Sequence, residues 1–153
     1  MKKFELPFDL KFNTGFILDP ETYFKESNCE SWLCLVGEEF AKMENGLSFQ
    51  QVQAITNHSV NVVSDPPFVL NLDLAKQHVA ALDILPRPTL ISCRKGPRSS
   101  AVAYMYSGLK QGASVEEVIS KAEIDKAPFA EFDEYKEWVR SSIITLRNEN
   151  SEY

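Results

Sequence analysis

Short apolar segments alternate along this sequence with segments that begin like helices. The predicted strands in the middle of the chain are residues 32–36, 60–63 and 88–92. Strands separated by helices of ordinary length pair in parallel, and a parallel sheet needs helices on both of its faces. The sequence therefore predicts an α/β fold, a three-layer α/β/α sandwich around a mainly parallel central sheet.

Helix starts are marked by residues whose side chains can accept a hydrogen bond from the first helical turn. Four such residues precede predicted helices: Asp19, Ser48, Asn71 and Ser114. Ser48 and Ser114 are followed three residues later by Gln or Glu, which is the spacing of a capping box. Longer helices are predicted over about 99–111 and 132–146, and a short first strand over 16–18.

Composition excludes several classes of function. The chain has 153 residues, 44% of them hydrophobic, which suffices for one core. Its net charge of −6 argues against a general nucleic-acid or membrane surface. The apolar runs are far shorter than the roughly 20 residues that span a bilayer, and no apolar segment follows the first residues as in a signal peptide. We expect a cytoplasmic protein with no nucleic-acid or membrane partner, and the oligomeric state stays open.

The basic residues are distributed unevenly. Residues 84–115 contain five basic side chains and no acidic one, although the whole chain is acidic. Such a stretch is a natural place for a small anion to bind. Chance clustering on a solvated face is the alternative.

Cysteine and histidine are too few and too scattered for a zinc site. The chain has Cys29, Cys34 and Cys93, and the histidines His58 and His78, with no pair at metal-ligand spacing. We therefore expect neither a metal nor another cofactor. Because Cys34 lies within a predicted buried strand, it is expected to be a small core residue.

The predicted strand over 88–92 runs directly into Cys93, and a helix follows within a few residues. Backbone N–H groups and the dipole at a helix start attract an anion and favour thiolate over thiol. Gly96 permits a tight turn, and Arg98 offers a planar fork to a tetrahedral oxyanion. The pattern predicts Cys93 as a nucleophile. The predicted anion-binding residues are Arg94, Lys95, Gly96, Pro97, Arg98 and Ser99.

Residues 92–100 read SCRKGPRSS and are followed by AVAYMY. This segment resembles the phosphatase-like domain of the beta-lactamase-hydrolase-like proteins, a family distantly related to tyrosine and dual-specificity phosphatases. The resemblance extends over about 12–127 and includes the loop at Asp65. It implies a phosphatase-like fold, with Cys93 as nucleophile and Arg98 as phosphate clamp.

No linker divides the chain, so we expect one phosphatase-like domain over residues 1–153. Its core is expected over about 12–127, followed by a C-terminal helix over about 131–147.

Two features depart from the His-Cys-x5-Arg loop of typical phosphatases of this fold. Ser92 precedes Cys93, and only four residues separate Cys93 from Arg98. The shorter loop resembles that of rhodanese sulfurtransferases, whose Cys-Arg-x-Gly-x-Arg loop holds a persulfide. Members of the beta-lactamase-hydrolase-like group also carry short loops, and some are fused to sulfur-oxidising domains. Both phosphate and sulfur chemistry therefore stay open.

Asp65 precedes Cys93 by 28 residues and follows a strand that is predicted to run parallel to the catalytic one. In phosphatases of this fold, an Asp at a similar distance protonates the leaving oxygen. Ordinary turn chemistry is the other explanation, since Asp-Pro commonly begins a turn. Asp73 is the alternative acid.

The predicted function is a cysteine-dependent phosphatase-like hydrolase that cleaves a phosphate monoester through a phosphocysteine. Cys93, Arg98 and Asp65 are its predicted catalytic residues. The first alternative is a rhodanese-type sulfurtransferase that uses a Cys93 persulfide, and the second is an anion-binding module without turnover. The expected partner is a small anion, either a phosphate ester or a sulfane sulfur donor.

Overall fold

The computed structural model describes residues 3–149 of the chain. At its centre is a sheet of four parallel strands in the order β1-β4-β2-β3. The strands are β1 (Leu10–Phe12), β2 (Ser31–Cys34), β3 (Ser59–Asn61) and β4 (Thr89–Ser92). Because β4 lies between β1 and β2, Leu90 pairs with Lys11 on one side and Trp32 on the other. The predicted α/β class with a parallel sheet is confirmed.

Helices cover both faces of this sheet. The described residues form α1 (Pro20–Ser27), α2 (Glu38–Ala41), α3 (Phe49–Ile55), α4 (Leu72–Ile84), α5 (Pro97–Gln111), α6 (Val115–Asp125) and α7 (Asp133–Glu149), with a 3-10 helix at Pro128–Glu131. The larger hydrophobic core lies between the sheet and α4–α7, and the smaller one includes residues of α2 and α3. Among residues 3–149, no helix is long and apolar enough to cross a membrane.

The central strand β2 supplies both cores. Successive side chains of a strand point to opposite faces, so Leu33 packs in the larger core while Trp32 and Cys34 pack in the smaller one. All three side chains are fully buried. A strand covered on both faces is mostly apolar, which explains the apolar run that begins at Trp32. The first residue of β2, Ser31, is buried as well, and its hydroxyl bonds the carbonyl oxygen of Pro86 and the hydroxyl of Thr89.

The predicted helix starts are confirmed. The side chains of Asp19, Ser48, Asn71 and Ser114 each accept a hydrogen bond from the backbone N–H three residues later. At Ser48 the capping box is complete, because the Gln51 side chain also bonds the Ser48 backbone N–H. These bonds span only three residues, so a local pattern suffices to predict them.

The prediction of the first strand is wrong. Residues 16–18 form no strand, and the Phe16 and Leu18 side chains at its ends are 40% and 71% exposed. The first strand is β1, six residues upstream, which pairs with β4 at the edge of the sheet. An edge strand of three residues buries few side chains, so its hydrophobic pattern is weak.

His78 of α4 is fully buried, on the helix that packs in the larger core. Its Nε2 lies 2.8 Å from Ser64 Oγ, and its ring meets the Trp138 ring edge-on at 5.8 Å. Burial lowers the pKa of His78 from 6.5 to about 3. As the pH falls below 6.5, His78 therefore becomes protonated in the unfolded chain but stays neutral in the folded one. The contribution of His78 to the free energy of unfolding is fully present above pH 6.5 and decreases as the pH falls toward 3.

Acidification from pH 7 to pH 5 is expected to lower the free energy of unfolding by about 2 kcal/mol through His78. His78→Gln retains a polar group beside Ser64 and should remove this contribution. His58 is exposed, so His58→Gln is the matched control and should keep the native pH dependence. The measurement is urea unfolding of the three proteins at both pH values. Equal pH dependence in the native protein and His78→Gln would contradict the prediction.

Candidate active site

The Cys93 loop, residues 93–99, joins β4 to α5 at the carboxyl end of the sheet. Cys93 is 4% exposed. Gly96 immediately precedes α5 and has a φ of 121°, in the left-handed region. A Cβ at this position would lie 2.5 Å from the carbonyl oxygen of Asn13. Glycine is therefore required here, both by the backbone conformation and by the close approach of another segment.

Donors of the loop surround the sulfur of Cys93. The N–H groups of Gly96 and Ser99 donate to Sγ at 3.1 and 3.3 Å, and Ser99 Oγ lies 3.4 Å from the same sulfur. Three further N–H groups bond no acceptor in the described part of the chain: those of Arg94, Lys95 and Arg98. The loop thus holds the sulfur with two amides and retains others, as expected where a helix begins.

Arg98 extends over the ring of Tyr135, with its guanidinium carbon 5.4 Å from the ring centroid. Its Nε is buried and has no hydrogen-bond partner among residues 3–149. Burial raises the pKa of Tyr135, and the positive charge of Arg98 opposes that rise. A buried donor without a protein acceptor is costly, and an anion can satisfy it.

A pocket of about 330 Å³ lies at the loop. The loop contributes one part of its lining, and residues from other segments contribute the rest: Phe16, Phe40, Met43, Glu44 and Pro66. The rings of Phe16 and Phe40 stack at 6.1 Å, with Lys95 Nζ 5.1 Å from the first ring and the Arg94 guanidinium 5.2 Å from the second. The pocket therefore combines cations with apolar walls, which suits a small anion that carries an apolar group.

Asp65 is brought to the loop through Arg94. It is 1% exposed, and its Oδ2 accepts a hydrogen bond from Arg94 Nε at 3.0 Å, while Oδ1 accepts one from the Gly37 N–H at 3.0 Å. Within the described chain, Pro66 lines the pocket at Cys93 but Asp65 does not. To reach a leaving group there, Oδ2 must exchange Arg94 for the leaving oxygen.

Solved structures similar to this chain are phosphatases. A mutant form of Tk-PTP is 14% identical with a TM-score of 0.70, covering 91% of this chain and 92% of that one. The core catalytic domain of the PP-IP phosphatase SIW14 from S. cerevisiae is 17% identical with a TM-score of 0.61, covering 96% and 91%. The Yvh1 phosphatase domain from Chaetomium thermophilum is 14% identical with a TM-score of 0.60, covering 87% and 89%. The fold is phosphatase-like.

No family model matches the sequence, and no curated protein matches it. The phosphatase-like fold predicted from the loop is confirmed. The narrower resemblance to the beta-lactamase-hydrolase-like proteins stays a prediction.

Asn13 is a site residue that the sequence analysis missed. It is fully buried and directly follows β1. Its Nδ2 donates to the carbonyl oxygens of Cys93 and Gly15, both at 2.9 Å, and its Oδ1 accepts from the Cys93 N–H at 3.1 Å and from Ser99 Oγ at 2.9 Å. Because the first strand was predicted at 16–18, Asn13 was not expected to lie at the end of a strand. The sequence signal for Asn13 is weak: it is a polar residue directly after Leu10–Phe12, in which two apolar residues flank a lysine.

The other candidates lie outside the Cys93 pocket. Burial raises the pKa of Cys34 to about 11, and the side chain packs in the smaller core, as predicted. Cys29 is also buried, and burial raises its pKa. Asp73 is an exposed residue of the first turn of α4. In the part of the chain that the structure describes, no three His, Cys, Asp or Glu side chains are grouped to hold a metal.

Proposed function

We propose that the protein is a cysteine-dependent hydrolase of a phosphate monoester, with Cys93 as the nucleophile and Arg98 as the phosphate-binding cation. One observation carries this proposal. The Cys93 sulfur, held by two amides, and an Arg98 guanidinium with a buried free donor belong to one pocket at the start of α5. A cation and free amides beside a nucleophile suit the transfer of a phosphoryl group.

In the first step, the Cys93 thiolate attacks phosphorus and the bond from phosphorus to the leaving oxygen breaks. Asp65, protonated and released from its ion pair with Arg94, gives its proton to that oxygen. The free amides and Arg98 stabilise the charge on the three nonbridging oxygens.

In the second step, water attacks the phosphorus of the phosphocysteine and gives its proton to Asp65. Phosphate leaves and the thiolate is restored. The amides of Gly96 and Ser99 bond Sγ. They therefore stabilise the thiolate when it departs.

The test is steady-state hydrolysis of 4-nitrophenyl phosphate under reducing conditions, with thiosulfate-to-cyanide sulfur transfer assayed in parallel. Reductant is included because an accessible thiolate oxidises readily. The expected result is saturable phosphate release, with one phosphoryl group on the Cys93 peptide after an acid quench. Thiocyanate production without phosphate release would overturn the proposal.

Asp65→Asn is expected to lower kcat about 10²-fold or more on phenyl phosphate. The loss should be smaller on 4-nitrophenyl phosphate, because nitrophenolate departs with little need of a proton. Steady-state kinetics on the two esters measure this difference. Asp73→Asn is the matched control and should retain native rates on both. An equal loss on both esters would show that Asp65 acts only as the ion-pair partner of Arg94.

Sulfur transfer is the second candidate function, because the two loop amides point at Sγ itself and the loop has only four residues between Cys93 and Arg98. The Cys93 thiolate would take the outer sulfur of thiosulfate and release sulfite. Cyanide would then remove that sulfur as thiocyanate and restore the thiolate. If neither reaction occurs but phosphate raises the Tm, and Arg98→Ala abolishes that rise, the protein is an anion-binding module.

A further inference from the structure

One side chain outside the Cys93 loop holds both of its ends. Asn13 bonds the N–H and the carbonyl oxygen of Cys93, where the loop begins, and the hydroxyl of Ser99, where it ends. Asn13 and Cys93 are 80 residues apart in the chain. The loop is therefore fixed from the neighbouring edge strand rather than by its own sequence alone.

The four hydrogen bonds of Asn13 match the two ends of its amide. Nδ2 faces two carbonyl oxygens, which can only accept, and Oδ1 faces a backbone N–H, which can only donate. A flipped amide would place donor against donor and acceptor against acceptor. Since Asn13 is fully buried, these bonds are not shared with water. The two bonds to the N–H and the carbonyl oxygen of Cys93 restrain the peptide planes on either side of that residue.

Asn13 also competes with Cys93 for the proton of Ser99. The Ser99 hydroxyl lies 2.9 Å from Asn13 Oδ1, 3.2 Å from the carbonyl oxygen of Gly96 and 3.4 Å from Cys93 Sγ. A hydroxyl has one proton to donate and can accept as well. With a neutral thiol, the S–H donates to Ser99 while the hydroxyl donates to Asn13. With a thiolate, the hydroxyl can turn and donate to sulfur.

We propose that Asn13 is a positioning residue for the Cys93 nucleophile: it fixes the Cys93 peptide and sets Ser99 as a hydroxyl that can bond either Asn13 or the sulfur. Asn13 is not among the described residues that line the Cys93 pocket. The proposal rests on the proposed function in one respect, since it takes Cys93 to be the reactive thiol.

The test is the rate of Cys93 alkylation by iodoacetamide as a function of pH, followed by mass spectrometry of the Cys93 peptide, with kcat and KM on 4-nitrophenyl phosphate beside it. Asn13→Ala is expected to slow alkylation at neutral pH about tenfold and to move the pH midpoint of alkylation upward. In the kinetic assay it should lower kcat, and the change in KM should be the smaller of the two. Asn13→Asp keeps the acceptor at Oδ1, but it replaces the Nδ2 donor with an oxygen that faces two carbonyl oxygens and it adds a negative charge. It should therefore move the midpoint further upward.

Asn61 provides a matched control. Its Nδ2 also bridges two carbonyl oxygens, those of Cys34 and Val36, at 2.9 and 3.0 Å, but it does not bond the Cys93 loop. Asn61→Ala should leave the alkylation profile unchanged. Its Tm shows how far losing such a bridge destabilises the fold without touching the nucleophile.

In Asn13→Ala and Asn61→Ala the charged and titratable groups around Cys93 stay the same, whereas Asn13→Asp adds one carboxylate beside them. Those groups are Arg94, Lys95 and Arg98 of the loop, Asp65 after β3, Glu44 of the pocket wall, Cys34 of β2 and Tyr135 of α7. A shifted midpoint in Asn13→Ala is therefore assigned to the lost hydrogen bonds of Asn13, and the difference between the two Asn13 variants is assigned to the added charge.

If both Asn13 variants give the native alkylation midpoint and kcat, the inference is overturned. If Asn13→Ala does not fold, the test uses Asn13→Asp and Ser99→Ala instead. An unchanged alkylation profile in both of these variants would also overturn the inference. A native Cys93 that reacts no faster than the buried Cys34 is a different result, because it refutes the proposed function whatever Asn13 does.

Discussion

Cys93→Ser is expected to abolish phosphate monoester hydrolysis, with kcat lowered at least about 10³-fold. A serine hydroxyl is a poor nucleophile without a base to take its proton. The two loop amides that bond the sulfur can bond a serine oxygen instead, so the fold and the anion site should persist. The measurement is 4-nitrophenyl phosphate turnover, together with the Tm with and without phosphate.

Cys29→Ser is the thiol control for this experiment. Cys29 lies in the smaller core, on the opposite face of the sheet from the core that contains Cys93, and the variant should keep native turnover per folded molecule. Hydrolysis by Cys93→Ser at the native rate would exclude Cys93 as the nucleophile. Loss of turnover together with loss of the phosphate-induced rise in Tm would indicate a damaged loop rather than a missing nucleophile.

Arg98→Ala is expected to have the second largest effect, lowering kcat about 10²- to 10³-fold. The guanidinium carries a buried Nε without a protein acceptor and lines the Cys93 pocket, so its removal takes a charge-assisted donor from the nonbridging oxygens. Arg98→Lys retains the charge but loses the planar fork, and should recover only part of the rate. Steady-state kinetics on 4-nitrophenyl phosphate measure both variants.

Arg140→Ala removes the same charge from the exposed side of α7, where Arg140 pairs with Glu116. It should leave both kcat and the phosphate-induced rise in Tm unchanged. If Arg98→Ala also leaves that rise unchanged, the Cys93 loop is not the anion site. Phosphate hydrolysis, sulfur transfer and anion binding at this loop would then each lose the anion site on which they depend.

Local patterns in the sequence were enough to predict much of the fold. The helix starts at Asp19, Ser48, Asn71 and Ser114 follow from hydrogen bonds that span three residues. The buried strand β2 follows from the apolar run at residues 32–36, because a parallel strand is covered on both faces. The loop after β4 was equally local: a strand, a glycine with positive φ and a helix follow one another within a few residues.

The site beyond the loop could not be predicted in this way. The Asp65 carboxylate was expected to face a leaving group, but the structure pairs it with Arg94, 29 residues away. Tyr135 lies against Arg98 only because α7 packs on α5. No repeating pattern in the sequence predicts either contact.

By itself, the sequence determined the order of strands and helices, the parallel sheet and the position of Cys93 at the start of α5, since each depends on residues that are neighbours in the chain. Only the tertiary structure decided which strand forms the edge, and therefore that Asn13 holds Cys93 and Ser99 from 80 and 86 residues away. The physical reason is that a buried amide finds its partners through the packing of layers. That packing depends on the whole core rather than on any one segment.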